Sequence, residues 1–200
     1  MEIKVLNENG LDSALLGLSL SYYDHAEPLG TWWTQEKFDK AMKRAKILAH
    51  NQGGHNKFIE SLTVEIYIQA ARSFWSEFDT YRVGMTKQSS STMHTLDKRY
   101  VTTDDFETGT AQFMVDGFNL CLQDYKNPDH IHYKDITILK DNLPEGWLQE
   151  RVVVTNYKTL QNIYWQREKH RLRYWRQFNE ECLKQLQFPE FIKQNNKELS

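Results

Sequence analysis

The chain has 200 residues, of which 40% are hydrophobic and 13% aromatic, a length and composition that suit one domain with a real core and exclude a disordered chain. Its formal net charge of -2 excludes a surface built throughout to hold a nucleic-acid backbone and leaves a small charged partner as the expectation. No apolar run approaches the roughly 20 residues that cross a bilayer, and the start Met1-Glu2-Ile3-Lys4 lacks a signal-peptide core, so the expected compartment is the cytoplasm and no membrane partner is expected.

In chain order, residues 12 to 22 read as a short strand or helix. Thr34 is an N-cap for a helix whose apolar side is Phe38, Ala41, Ala45 and Leu48, ending before Gly53-Gly54. The period then changes. Leu62, Val64, Ile66 and Ile68 alternate with Thr63, Glu65, Tyr67 and Gln69, the pattern of a half-buried strand. Residues 70 to 80 read as helix, 81 to 102 as a polar, turn-rich segment, and 104 to 126 as a helix with Phe106, Phe113, Val115, Phe118 and Leu122 among its apolar positions. Ile136 to Leu139 and Val152 to Thr155 are β-branched runs that fit strands or helix starts. Cys121 and Cys182 belong to no CxxC pair, which predicts reduced, packed thiols. No internal repeat and no linker rich in proline or glycine interrupts the chain, so residues 1–200 are expected to form a single α+β domain.

The last third is the most informative stretch. Leu143-Pro144, Asn156 to Leu160 and Asn162 to Arg167 follow one another, leading into a long arginine-bearing helix. At 100° per residue, Leu160, Ile163, Arg167, Arg171, Tyr174 and Phe178 lie within about 60° of one direction. A guanidinium on an apolar stripe is costly to bury alone and implies a carboxylate or a bound anion such as phosphate. Asn162 lies about 140° from Arg167 on the same helix, so one subunit cannot aim both into one pocket.

These segments carry a resemblance to a known family. Gly54-His55, with Phe58 and Glu60 ahead of the alternating strand, resembles the GHxxxFEH entry of the flavin-dependent thymidylate synthases, with Ser61 at the second His. Lys140-Asp141-Asn142-Leu143-Pro144 resembles that family's ARxxLP segment, and Asn156 to Asn162 followed by Arg167 resembles NxRSLxNFxxLR. Leu20-Ser21-Tyr22 is similar to its RVSY. The signature RHRxxSxNExSxRY falls on Thr80 to Met93, where only Arg82 and Ser90 keep the specified types. Thr80 and Tyr81 replace an Arg-His pair, and Thr92 replaces an Arg. An insertion would let Arg99-Tyr100 supply the missing RY.

The resemblance implies a mainly antiparallel sheet flanked by helices with a long C-terminal helix. It also implies FAD as cofactor, with NADPH and methylenetetrahydrofolate as co-substrates, and a pyrimidine deoxynucleoside monophosphate as substrate. Ser21, His55, Glu60, Arg82, Asn156, Lys158 and Asn162 would touch FAD; Glu77, Gln88, Ser90, Lys140 and Arg167 would touch the nucleotide, Arg167 and Ser90 as the catalytic pair. Glu77 and Gln88 stand where the family has Gln and Glu, which would alter the pyrimidine that is read, dUMP or dCMP. The family assembles its site from several chains of a homotetramer, a use that suits Asn162 and Arg167 on opposite helix faces.

Each residue also has a structural reading. His55 can close the preceding helix, Glu60 can be a solvated edge charge, Arg167 can pair with Glu77 or Asp79, and Lys140 can be a surface lysine. His130 and His132 have the spacing of a strand metal pair without a third ligand, so no metal is expected. Lys169, Arg173 and Arg176 form a second basic face that reads as solvated or subunit-facing rather than as a nucleic-acid site. The leading function is flavin-dependent transfer of a methyl or hydroxymethyl unit to a pyrimidine nucleotide. The alternative is a non-catalytic homologue that binds a nucleotide or a partner protein.

Overall fold

The computed structural model describes residues 1–51 and 54–193. Four antiparallel strands make one sheet: β1 (Glu2–Asn9), β2 (Thr63–Ala71), β3 (Thr86–Ser89) and β4 (Leu148–Asn156), in the order β1-β2-β4-β3. The period-2 run expected from Leu62 is β2, whose Val64, Ile66 and Ile68 are fully buried. The architecture is α+β, as expected. By its contacts the chain divides into two compact units, the first of Met1–Glu2, Ile68–Tyr81 and Lys87–Val152, the second of Ile3–Tyr67, Arg82–Thr86 and the chain from Val153 onward.

In the second unit the segment 12 to 22 is helical: α1 (Leu11–Ser19) runs into a 3-10 turn at Leu20–Tyr22. After the short α2 (Leu29–Trp32), Thr34 accepts the Lys37 N–H at 3.4 Å and starts α3 (Gln35–Leu48), which buries Ala41 and Ala45. Gly53 lies outside the described residues; the helix itself stops at Leu48, ahead of it. The edge of β1 is covered by a side chain that imitates a strand. Gln185 accepts from Val5 N–H at 3.0 Å and donates to the Ile3 carbonyl at 2.9 Å. Buried Gln161 donates to the Ala49 and Phe191 carbonyls at 2.8 and 2.7 Å, satisfying loop backbone that has no ladder partner.

The first unit follows β2 directly with α4 (Arg72–Phe78), which buries Phe74, Trp75 and Phe78. After α5 (Thr92–Thr95), its core joins Leu96, Val101 and Phe106 to Val115, Phe118 and Leu122 of α6 (Gln112–Lys126) and to Leu139 and Leu143. The expected helix over 104 to 126 therefore starts eight residues late, at Gln112. Thr102 and Asp105 close a capping box around a 3-10 turn, and Phe106 forms a β-bridge with distant Trp147. Ile136 to Leu139 resolve as helix, α7 (Ile136–Asp141), because Asp135 accepts the Thr137 N–H at 3.0 Å and Leu139 reaches the core. Val152 to Thr155 resolve as strand within β4.

The helical C-terminal region is in two pieces, α8 (Tyr157–Arg167) and α9 (Arg173–Gln185). His170 N–H bonds to the Arg167 carbonyl, tightening the last turn of α8, and the Arg176 guanidinium takes the His170 carbonyl at 2.7 Å. Arg171 consequently sits outside the stripe that the sequence projected through it. Cys182 is buried, and desolvation pushes its thiol well above the ordinary range; burial also raises that of Cys121. Both thiols are free and protonated, which suits packing rather than nucleophilic chemistry.

Candidate functional site

Three elements of the second unit enclose a large cavity. The C-terminal half of α1 and its 3-10 turn, the outer edge of α3, and the turn Gly54 to Ser61 enclose about 820 Å³, within the range of small-molecule and cofactor sites. Its floor is apolar: Ala14 and Phe58 are buried and Leu18 and Leu48 half-buried. Gly17 faces it without a side chain, and a Cβ there would meet nothing within 4 Å. Gly54 takes φ +87°, a left-handed conformation that glycine adopts without strain, and so turns the chain along the rim toward His55.

Three residues expected to touch a flavin, Ser21, His55 and Glu60, line this cavity together. They come from segments more than thirty residues apart. Beside them stand Tyr22, Arg44 and Lys57, which the sequence argument did not select. The Arg44 guanidinium lies over the Tyr22 ring at 4.2 Å. A signal for Arg44 was present: on α3 it falls about 40° from Leu48, at the edge of the apolar stripe.

A second group gathers at the start of α8. Asn156 is its N-cap and accepts the Thr159 N–H at 2.9 Å, so that side chain is committed to the helix. The 82–86 loop docks on this turn. Thr155 donates to the Gly84 carbonyl at 3.1 Å and Thr159 to the Val83 carbonyl at 3.3 Å, which holds exposed Arg82 next to the segment bearing half-buried Lys158. Asn162 is exposed one turn on. Arg167, at the end of α8, is half-buried with its guanidinium 4.7 Å over the Trp175 ring and Nη1 2.8 Å from His170 Nε2. Since arginine only donates, His170 Nε2 is the acceptor there.

Apart from Arg167, which belongs to the second unit, the residues expected to hold a nucleotide lie in the first unit. Ser90 donates its hydroxyl to Glu150 Oε2 at 2.9 Å, and its backbone N–H bonds to the Glu150 carbonyl at the same distance. Gln69 donates to the other Glu150 oxygen at 3.2 Å, so Glu150, unselected by the sequence argument, is the hub of this group. Gln88 is exposed on β3, Lys140 is exposed on α7, and Glu77 is half-buried on α4. Nearby, Arg151 grips Asp79 at 2.8 and 3.0 Å while lying 4.2 Å over the Trp75 ring, and Lys87 reaches Asp79 at 3.1 Å. This network pins the end of α4.

The substituted signature is packed as structure. Thr80 donates to the Glu77 carbonyl at 2.7 Å, and the Tyr81 ring stands 6.4 Å from Phe78. The guanidinium of Arg99 closes on Asp105 and on the Tyr100 carbonyl. His130 lies 3.8 Å from Asp124 and His132 4.0 Å from Asp135; among the described residues no group of three or more His, Cys, Asp or Glu is placed to hold a metal ion. Arg173 lies over Tyr174, and Arg176 is occupied by backbone carbonyls of His170 and Arg171. No described helix is long and apolar enough to cross a membrane.

No protein-family model and no curated protein sequence matches the chain. Solved structures do. The flavin-dependent thymidylate synthase ThyX from Helicobacter pylori, complexed with FAD and dUMP, superposes with a TM-score of 0.75 at 15% identity, covering 96% of this chain and 98% of that one. A second structure of that enzyme with FAD and dUMP gives 0.72 at 15% identity, covering 94% and 95%. Along nearly its whole length, the chain has the fold of the flavin-dependent thymidylate synthases.

Proposed function

We propose that this chain binds FAD and transfers a one-carbon unit from methylenetetrahydrofolate to the pyrimidine of a deoxynucleoside monophosphate, dUMP or dCMP, with NADPH as reductant. The observation that carries the reading is the convergence of Ser21, His55 and Glu60 on one cavity, in a chain whose fold matches an enzyme complexed with FAD and dUMP. The donor set suits a flavin dinucleotide: an apolar floor for a flat ring, and hydroxyl, imidazole and cationic groups on the rim. Bound FAD would supply the hydride that the methyl product requires.

What the chain's own residues would do is hold and orient. His55 and Glu60 would fix the ring system by hydrogen bonds from one wall, and Asn156 would keep the α8 terminus rigid so that Lys158 and Arg82 meet the cofactor at a fixed place. Arg167, set by Trp175 and His170, would present its fork to a phosphate or a pyrimidine carbonyl. Ser90, Gln88, Glu77 and Lys140 would read the nucleotide. The assembly proposed with this reading is a cytoplasmic homotetramer; Phe113 and Leu120, 75% and 62% exposed on α6, offer apolar surface for it.

The decisive assay supplies FAD, NADPH and methylenetetrahydrofolate to the purified protein and weighs dUMP and dCMP afterwards by mass spectrometry. A mass gain of one methyl or hydroxymethyl group, abolished in Arg167→Ala, is the expected result; no gain on either nucleotide overturns the enzymatic reading. The second reading, a non-catalytic nucleotide- or partner-binding homologue, rests on a specific observation. Thr80 and Tyr81, at the positions of the family's Arg-His pair, are uncharged, and the Thr80 hydroxyl is spent on a helix carbonyl. A protein that retains no flavin absorption bands after incubation with FAD and desalting would favour it.

A further inference from the structure

Three of the partly buried cations of this chain are matched to carboxylates. Arg151 and Lys87, each 15% exposed, share Asp79, and half-buried Arg72 meets Glu145 at 3.4 Å. Arg44 is placed differently from these three. It is half-buried on the cavity wall, and among the described residues it forms no salt bridge; the ring of Tyr22 is its neighbour at 4.2 Å. Stacking on an aromatic face fixes the plane of a guanidinium without consuming its N–H donors. The result is a preset fork that faces open volume.

Lys57 lines the same cavity from a different element, the turn ahead of β2, and it too has no carboxylate partner among the described residues. Glu60 is the single carboxylate of the lining, so the two fixed cations outnumber it even with His55 neutral. Two positive groups carried on separate elements suit an extended anion with charge at more than one centre better than a lone carboxylate. Gly17, opposite an apolar floor and without a Cβ, leaves room for the rest of such a ligand.

We infer that Arg44 and Lys57 form an anion subsite that takes the diphosphate of a dinucleotide, an assignment that rests on the reading of this cavity as the flavin site. Arg44 supplies the oriented fork and Lys57 the second point charge. Tyr22 is the positioning residue for Arg44.

The test titrates wild type, Arg44→Gln, Lys57→Ala and the double variant with FAD and riboflavin by flavin fluorescence, and with inorganic pyrophosphate by calorimetry. Lys57 is exposed, so its variant stays folded, and circular dichroism checks the others. Each single change is expected to weaken FAD by about tenfold or more while leaving riboflavin unchanged, and pyrophosphate is expected to compete with FAD and to lose binding in the double variant. Tyr22→Leu is expected to weaken FAD but not riboflavin, as a residue that only positions Arg44 would. FAD affinity equal in wild type and double variant overturns the subsite while leaving the flavin reading in place. Pyrophosphate binding that disappears in the double variant, in a protein that takes neither flavin, upholds the anion subsite and overturns the flavin reading.

Discussion

Two charged regions of this molecule are built on opposite plans. At the end of α4, Asp79 is held by Arg151 and Lys87 while Arg151 covers Trp75, and every charge has a partner within the chain. Around the cavity of the other unit, Arg44 and Lys57 have no carboxylate partner among the described residues, and an aromatic ring does the orienting. The first arrangement spends its charges on stability. The second keeps them available, which is what a binding site requires and what a merely structural surface has no reason to organise.

The sharpest way to break this contrast is Arg151→Ala. It removes two hydrogen bonds to Asp79 and the contact with Trp75 in a side chain only 15% exposed, and should lower unfolding free energy by about 2–3 kcal/mol in urea titration. A change below the resolution of the titration would mean that the network is ornamental. Gly84→Ala comes next, at about 1–2 kcal/mol. Its φ is +67°, and an added Cβ would meet Thr159 Oγ1 at 2.7 Å and Asn156 Nδ2 at 2.9 Å, so the loop carrying Arg82 would lift from α8.

On the cavity side the sign should reverse. Gly17→Ala should stabilise by about 0.5–1 kcal/mol, since the helix gains and nothing lies within 4 Å of the new Cβ. Gly17→Leu should keep a comparable melting temperature yet exclude FAD, a pairing that separates cavity filling from misfolding. Arg44→Gln should change stability by less than about 1 kcal/mol, the worth of one exposed cation–π contact, while ligand binding falls. A large loss of stability there would place Arg44 among the structural charges and erase the distinction between the two regions.

The smallest expected effect concerns pH. The Arg99 guanidinium, and next the Thr102 N–H, hold the Asp105 carboxyl below the ordinary carboxylate range. Because the folded value is the lower one, the contribution is complete above the unfolded carboxylate value and disappears as pH falls through that value to the folded one. The stability difference between wild type and Asp105→Asn should therefore be present at pH 7 and vanish in acid. A difference that persists to the lowest pH would show that the Arg99 pairing is not its source.

Much of the fold was legible because its signals are local. Thr34 caps α3, and the alternation from Leu62 is β2. Ile136 to Leu139 stayed ambiguous until the Asp135 cap and the burial of Leu139 settled a helix, and the start of α6 was misplaced because Phe106 was already engaged with Trp147, 41 residues away by number. Of the candidate site, the motif residues Ser21, His55 and Glu60 were readable and do meet in one cavity, whereas Arg44 was visible only as a charge at the edge of a stripe. Glu150 gave no signal at all, since nothing local distinguishes it from any strand carboxylate.

By itself the sequence determined the α+β class, the caps and the strand period, because capping and side-chain periodicity depend on residues a few positions apart. It also determined a resemblance whose segments fall in the right order along the chain. Only the tertiary structure decided which cations are neutralised and which stay open. Asp79 and Arg151 are 72 positions apart, and Arg44 finds Tyr22 rather than a carboxylate through the packing of α3 against α1. Charge pairing of that kind is set by which elements come to lie side by side, and a pattern of neighbours along the chain does not contain it.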